Sequence, residues 1–204
     1  MAARVGIFGG SFNPIHAGHL MQADEARGEL SLDRVIFVPA NAPPHKDAAG
    51  LLDGEERFRL VELAVAGDPG FEASRVDIDR EPPSYTVDTI RIVRDSLSPG
   101  TELFFLMGAD SLIDLPNWRA PEEIVRLARL VVFPRPGYEP AASPFASRAE
   151  IVFLAGPRVS ISSEEIRARI RGGGPYRYWV PDAVWRRIEE CAFYQSAPDR
   201  TRHI

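Results

Sequence analysis

The chain has 204 residues, 45% of them hydrophobic, which is enough for one domain with a full buried core. Its formal net charge of −5 argues against nucleic acid as the main partner, because binding to a phosphate backbone requires a basic surface. We expect a cytoplasmic protein that binds no membrane, because no apolar signal segment or bilayer-length run is present and the single cysteine, Cys191, cannot form an internal disulfide.

The first predicted elements are a strand, a glycine turn and a helix. Residues 5–8 form a short apolar run that is typical of a strand buried on both faces. Gly9 and Gly10 end this strand, and without a Cβ they would let a ligand's phosphates lie against bare amides. Asn13 and Pro14 indicate a turn, and a helix is predicted from about Ile15 onward.

Two histidines stand at the start of this predicted helix. His16 and His19 are three residues apart, so their imidazoles lie on the same side of the helix. A helix start favours anions, and we expect the imidazoles to add donors whose protonation is adjustable near neutral pH. Gly18 leaves room for a sugar or base. Zinc helices of the protease type have two histidines four apart with a glutamate between, so no protein-borne metal site is predicted. The pattern indicates phosphoryl or nucleotidyl transfer.

The rest of the chain alternates between strands and helices. Further strands are predicted at 34–39, in part of 71–79, and at 102–107, 130–133 and 151–154, and helices at 55–66, 86–97, 121–128 and from Ser162 onward. Near-continuous apolar strands separated by helices predict an α/β fold, a Rossmann-like doubly wound parallel sheet with helices on both faces. We expect a single domain over 1–204, with a small C-terminal helical part at about 159–194 and a loose tail at 195–204.

The glycine turn and the histidines resemble a known signature. Gly9-Gly10-Ser11-Phe12-Asn13-Pro14-Ile15-His16-x-Gly18-His19 is similar to that of the nucleotidylyltransferase superfamily, and most closely to that of the bacterial nicotinate mononucleotide adenylyltransferases. The resemblance extends in the expected order through His45-Lys46, Gly108-Ala109-Asp110, Trp118 and Ile161-Ser162-Ser163-x-x-x-Arg167. It implies adenylyl transfer from ATP to nicotinate mononucleotide in NAD biosynthesis, giving deamido-NAD and pyrophosphate. It also implies Mg²⁺ carried with ATP, small-molecule substrates, and a homo-oligomer as a possible assembly.

The resemblance implies a role for each matched residue. His16 and His19 are the implied catalytic residues. The implied ATP-binding residues are Gly9, Gly10, Ser11, Phe12, Gly18, Gly108, Asp110, Ile161, Ser162, Ser163 and Arg167. The implied mononucleotide-binding residues are Asn13, His45, Lys46, Tyr85, Thr86, Trp118 and Arg135.

Some of these residues also have a purely structural interpretation. Ser162 with Glu165 fits a capping box, Thr86 fits a helix N-cap, Asp110 fits the N-cap of a short helix, Trp118 fits a partly buried anchor, and the loop at 43–46 fits a solvated segment. One position departs from the family pattern, because Glu164 stands where the family usually has threonine. Three rival functions stay open: an adenylyltransferase for nicotinamide mononucleotide, one for pantetheine phosphate, and a nucleotide sensor without turnover.

Overall fold

Six parallel strands form one sheet in the order β3-β2-β1-β4-β5-β6. The structure is a computed structural model that describes residues 2–42, 50–148, 150–156 and 160–195. The strands are β1 (Arg4–Gly10), β2 (Arg34–Pro39), β3 (Phe71–Ala73), β4 (Glu102–Gly108), β5 (Arg129–Phe133) and β6 (Ile151–Phe153). The order changes direction at β1, which pairs with β2 on one side and β4 on the other. This is the switch point at which open parallel sheets bind ligands.

Seven described α-helices accompany the strands. They are α1 (Ala17–Glu29), α2 (Gly54–Val65), α3 (Thr86–Ser96), α4 (Ala109–Asp114), α5 (Pro121–Leu127), α6 (Ser163–Arg171) and α7 (Asp182–Glu190). Short 3₁₀ turns occupy Leu115–Asn117, Pro140–Ala142 and Arg177–Trp179. No helix among the described residues combines the length and the apolarity that crossing a membrane requires.

The sheet has a hydrophobic core on each face. Alternate residues of β4 point in opposite directions, so Phe105 belongs to one core and Phe104 to the other. The first core packs the sheet against α3, α4 and α5, and the second packs it against α1, α2, α6 and α7. The predicted doubly wound α/β fold is confirmed. The expected single domain over 1–204 stays a prediction.

One local expectation is confirmed and another is wrong. A strand is predicted in part of 71–79, and β3 lies there. The alternation over 71–79 extends β3 only to Ala73, because the backbone N–H of Ile78 bonds to the carbonyl of Arg75 and the chain turns. The turn buries Asp77, which accepts hydrogen bonds from Arg80 and Thr89, so the pattern reflects a buried polar network. At the start of α3 the N-cap is Tyr85 and not Thr86, and no side chain caps this helix.

Candidate active site

A cavity of about 790 Å³ opens at the carboxyl ends of β1 and β4. Its walls come from the glycine turn, the start of α1, the turn after β4 and the start of α6. The glycine turn is the segment 9–14, whose two glycines are the last residues of β1. The predicted residues that line it are Gly9, Gly10, Ser11, Phe12, Asn13, His16, Gly18, His19, Gly108, Asp110, Trp118, Arg135, Ile161, Ser162, Ser163 and Arg167. The structure therefore brings together most of the residues that the sequence implies. His45 and Lys46 lie outside the described residues.

The glycine turn is packed tightly by its own phenylalanine. Phe12 has a φ of +43° and is 2% exposed, so its ring fills the space beneath the turn. A Cβ on Gly10 would lie 3.1 Å from this ring, which is tighter than ordinary van der Waals contact. A side chain at Gly10 would therefore have to displace the Phe12 ring by a few tenths of an ångström.

The two histidines are stacked face to face at the start of α1. Their ring centroids are 3.6 Å apart with an interplanar angle of 19°. His16 is the N-cap of α1, and its backbone N–H donates to Nδ1 of His19 at 3.2 Å. Because Nδ1 of His19 accepts this bond, a neutral His19 carries its proton on Nε2. In its neutral form His19 is therefore an Nε2–H donor.

His16 is held neutral by its surroundings. Burial, reinforced by the positive charge of Arg135, lowers the pKa of His16 from 6.5 to about 4. The expectation that both imidazoles titrate near neutral pH is therefore wrong for His16. Its Nδ1 is buried and has no hydrogen-bond partner among the described residues. A ligand at this helix start would meet an uncharged imidazole.

The serine-bearing helix α6 is bonded directly to the glycine turn. Ser162 is its N-cap, with Oγ accepting from the backbone N–H of Glu165 at 3.1 Å, so this half of the capping interpretation is confirmed. The hydroxyl of Ser163 donates to the carbonyl of Pro14 at 2.8 Å, and Nη1 of Arg167 donates to the carbonyl of Asn13 at 2.7 Å. Residues about 150 positions apart are thereby joined in one wall of the cavity.

The segments after β4 and β5 supply a carboxylate, Asp110, and a cation, Arg135, to another wall of the cavity. Asp110 lies in the first turn of α4, whose N-cap is Gly108, so Asp110 is not a capping residue. One carboxylate oxygen of Asp110 lies 3.3 Å from Nη1 of Arg135, and the other is buried without a hydrogen-bond partner among the described residues. That second oxygen is available to accept from a ligand hydroxyl.

A smaller cavity of about 280 Å³ adjoins the first between β1 and α3. Tyr85, Thr86 and Trp118 line it, together with Asp77 and Arg119. The Trp118 indole is half-buried, packs edge-on to Phe105 at 6.4 Å, and donates from Nε1 to Asp114 at 3.0 Å. The indole is both the predicted anchor and a wall of this cavity. An aromatic wall beside a helix start suits a flat ring that carries a polar substituent.

Sequence reasoning missed two residues that hold the turn in place. Arg57 is 0% exposed and donates to the carbonyls of Ser11, Ala40, Asn41 and Leu52. Its position on the inward stripe of α2 was the available signal, because a buried charge requires partners. Tyr194 donates from its hydroxyl to Oδ1 of Asn13 at 2.8 Å, and no local pattern marks this contact.

The Asn13 carboxamide is engaged by the protein itself. It is 4% exposed, donates to the carbonyl of Gly50, and accepts from the backbone N–H of Leu52 and from Tyr194. These bonds occupy much of its hydrogen-bonding capacity. Asn13 thus organises the turn, whatever it also contributes to a ligand.

The donor set was tested for a metal site. No group of three or more His, Cys, Asp or Glu side chains that could hold a metal ion occurs within the described ranges. The binding of Mg²⁺ with ATP stays a prediction.

Comparisons with known proteins decide the family. The Cytidylyltransferase-like family model matches residues 7–169. A Thermus thermophilus protein named "Probable nicotinate-nucleotide adenylyltransferase" is 47% identical over 192 residues, which cover 94% of this chain and 100% of the relative. The chain belongs to the nicotinate-nucleotide adenylyltransferase family.

Other members and solved structures agree with this family. A nicotinate-nucleotide adenylyltransferase relative from Roseiflexus, also named as probable, is 44% identical and covers 95% of this chain and 99% of its own. The Plasmodium falciparum nicotinic acid mononucleotide adenylyltransferase, solved with NaAD, superposes with a TM-score of 0.77. It covers 94% of this chain and 97% of its own, and at 17% identity it supports the fold.

Proposed function

We propose that this chain transfers the adenylyl group of ATP to nicotinate mononucleotide. A phosphate oxygen of the mononucleotide attacks the α-phosphorus of ATP, and the bond from that phosphorus to the bridging oxygen of the β-phosphate breaks. The products are the deamido dinucleotide and pyrophosphate. The attacking group is already an anion, so the reaction needs no protein nucleophile or general base.

One observation carries the proposal. The stacked histidines, the glycine turn and the start of α6 line a single cavity, and a smaller cavity walled by Trp118 opens beside it. We assign the triphosphate to the larger cavity and the pyridine ring to the smaller one. A quaternary pyridinium over an indole gains about 0.5 to 2 kcal/mol, so Trp118 suits the charged ring of the mononucleotide.

Catalysis then rests on alignment and on uncharged or cationic donors. Holding two anionic reactants in line can lower a barrier by roughly 7 to 11 kcal/mol. The Nε2–H of His19 donates to the phosphates as charge builds toward the leaving pyrophosphate, and neutral His16 lies against it. One N–H of Arg167 donates to the carbonyl of Asn13. The other guanidinium N–H groups donate to an oxygen of the leaving pyrophosphate. Mg²⁺ bound to ATP would supply further charge neutralisation.

The test is pyrophosphate release with ATP and each acceptor in turn. We expect release with nicotinate mononucleotide and a product of the mass of deamido-NAD. Faster release with nicotinamide mononucleotide or with pantetheine phosphate would show that this compound, and not nicotinate mononucleotide, is the acceptor. Tight ATP binding without release from any acceptor would make the chain a nucleotide sensor.

A further inference from the structure

Arg119 is a cation in the wall of the smaller cavity that pairs with no described carboxylate. Three charged residues line that cavity, namely Asp77, Asp114 and Arg119. Arg119 is exposed and forms neither an ion pair nor a hydrogen bond within the part of the chain that the structure describes. Many other arginines of the described chain form ion pairs, such as Arg91, whose Nη2 lies 2.6 Å from a carboxylate oxygen of Glu123. The guanidinium donors of Arg119 are therefore available to a ligand.

The acids in the same wall already have partners. Asp77 accepts from Arg80 at 2.6 Å and from Thr89 at 2.7 Å. Asp114 accepts from the Trp118 indole at 3.0 Å and from the side-chain amide of Asn117 at 2.9 Å. Asp77 is paired with the cation Arg80, and Asp114 accepts from two neutral donors, so both acids are engaged. Arg119 is the cation of this wall that can pair with an anionic substituent.

The position of Arg119 is set by its neighbours. Its guanidinium carbon lies 4.7 Å from the ring centre of Tyr85, the N-cap of α3, so the cation rests beside the amides that begin this helix. The next residue, Ala120, has a φ of +50° and a ψ of +55°, a left-handed conformation that a residue with a Cβ rarely adopts. That turn directs the chain from Trp118 and Arg119 into α5.

We propose that Arg119 is a specificity-determining residue that selects a carboxylate over a carboxamide on the ring of the acceptor. This inference rests on the function proposed above, which puts the pyridine ring against Trp118. Since Arg119 follows Trp118 and lines the same cavity, a ring stacked on the indole lies beside the guanidinium. A carboxylate can accept two hydrogen bonds from the guanidinium fork and also pairs with its charge. A carboxamide is neutral and offers one acceptor oxygen.

Substitutions that separate charge from geometry test the proposal. Arg119→Gln removes the charge, and Arg119→Lys keeps it without the fork. Arg126→Gln is the matched control, because Arg126 is exposed on α5 and lines neither cavity. For each variant, kcat/KM is measured with nicotinate mononucleotide and with nicotinamide mononucleotide at saturating ATP, and KM for ATP is measured separately.

We expect Arg119→Gln to reduce the preference for the nicotinate substrate about tenfold, which corresponds to about 1.4 kcal/mol. Arg119→Lys is expected to retain most of the preference, while Arg126→Gln leaves it unchanged, and KM for ATP stays within about twofold in all three. Added salt is expected to raise KM for the nicotinate substrate in the unaltered protein and to have a weaker effect in Arg119→Gln.

The outcomes separate this inference from the function on which it rests. If the unaltered protein releases no pyrophosphate with either mononucleotide, the proposed function fails. If the unaltered protein is active and Arg119→Gln lowers kcat/KM equally for both acceptors, or for neither, the role of Arg119 in selection is refuted and the function stands.

Discussion

The neutrality of His16 has a consequence for stability. Its pKa is about 4 in the folded protein and 6.5 when unperturbed, so the unfolded chain takes up the proton first as pH falls. The stabilisation from burying neutral His16 is complete above pH 6.5 and is lost as pH falls toward 4.

We expect this loss to reach about 3 kcal/mol, and His16→Asn to remove it. Urea unfolding of both proteins at pH 7 and at pH 4 measures the difference. For each protein, the unfolding free energy at pH 4 is subtracted from that at pH 7. The unaltered protein is expected to lose about 3 kcal/mol more than His16→Asn. Equal losses in the two proteins would show that His16 is not buried in its neutral form.

His19 makes a different prediction, because its Nε2–H is the donor that we assign to the reacting phosphates. His19→Ala is expected to lower kcat about 100-fold, as the loss of one donor to a transition state does, while KM for ATP changes less than about threefold. Steady-state pyrophosphate release measures both constants. An unchanged kcat would refute the catalytic role of His19.

At the scale of elements, α2 is tied to the sheet by one buried side chain. The guanidinium of Arg57 donates hydrogen bonds to carbonyls in three segments: the turn after β1, the residues after β2, and Leu52. Leu52 directly precedes Asp53, the N-cap of α2. Burial lowers the pKa of Arg57, but a guanidinium titrates so far above neutrality that it stays charged. The helix therefore aligns the end of β1, which lines both cavities, with the end of β2, which lines the smaller one.

Arg57→Met is expected to destabilise the protein by about 3 kcal/mol, because four buried carbonyls lose their donor. Arg59→Met is the control, since Arg59 lies on the exposed side of the same helix and pairs with Glu62. Chemical denaturation of the two variants gives the comparison. A similar, small loss in both would mean that water replaces the Arg57 bonds without cost.

The secondary-structure elements also show which features could be predicted from the sequence. Apolar runs and glycine punctuation predicted the strands of the sheet correctly, because strands buried on both faces leave a local pattern. The bonds from Ser163 and Arg167 to the turn at Asn13 and Pro14 could not be predicted, since such pairings depend on how the sheet folds and not on local spacing. His16 illustrates the same limit, because its protonation depends on burial and on Arg135.

At the scale of the whole molecule, the cavity is assembled from distant parts of the chain. Tyr194 lies 181 residues from Asn13, to which its hydroxyl donates, and burial raises the pKa of this phenol, so it remains a donor at neutral pH. The second core reaches the same region through α7, whose Val184 and Ile188 are fully buried. The C-terminal helical part therefore contacts the glycine turn near the start of the chain, through the hydrogen bond from Tyr194 to Asn13.

Tyr194→Phe removes only the hydroxyl, and we expect a loss of about 1 kcal/mol in unfolding free energy. We also expect kcat/KM to fall more than this loss explains, because Asn13 then holds the glycine turn with one bond fewer. Tyr178→Phe is the control, since Tyr178 is 88% exposed. Thermal unfolding and pyrophosphate release are compared for both, and equal activities would exclude a positioning role for Tyr194.

The hydrogen bonds from α6 and Tyr194 to the glycine turn also determine when the cavity can be completed during protein synthesis. A ribosome delivers the glycine turn and both histidines well before Ser163, Arg167 and Tyr194. A nascent chain that ends before α6 lacks the wall that these three residues supply. The cavity wall is therefore complete only once residues 163–194 have been made, and we expect a protease that removes Tyr194 to lower activity by releasing Asn13.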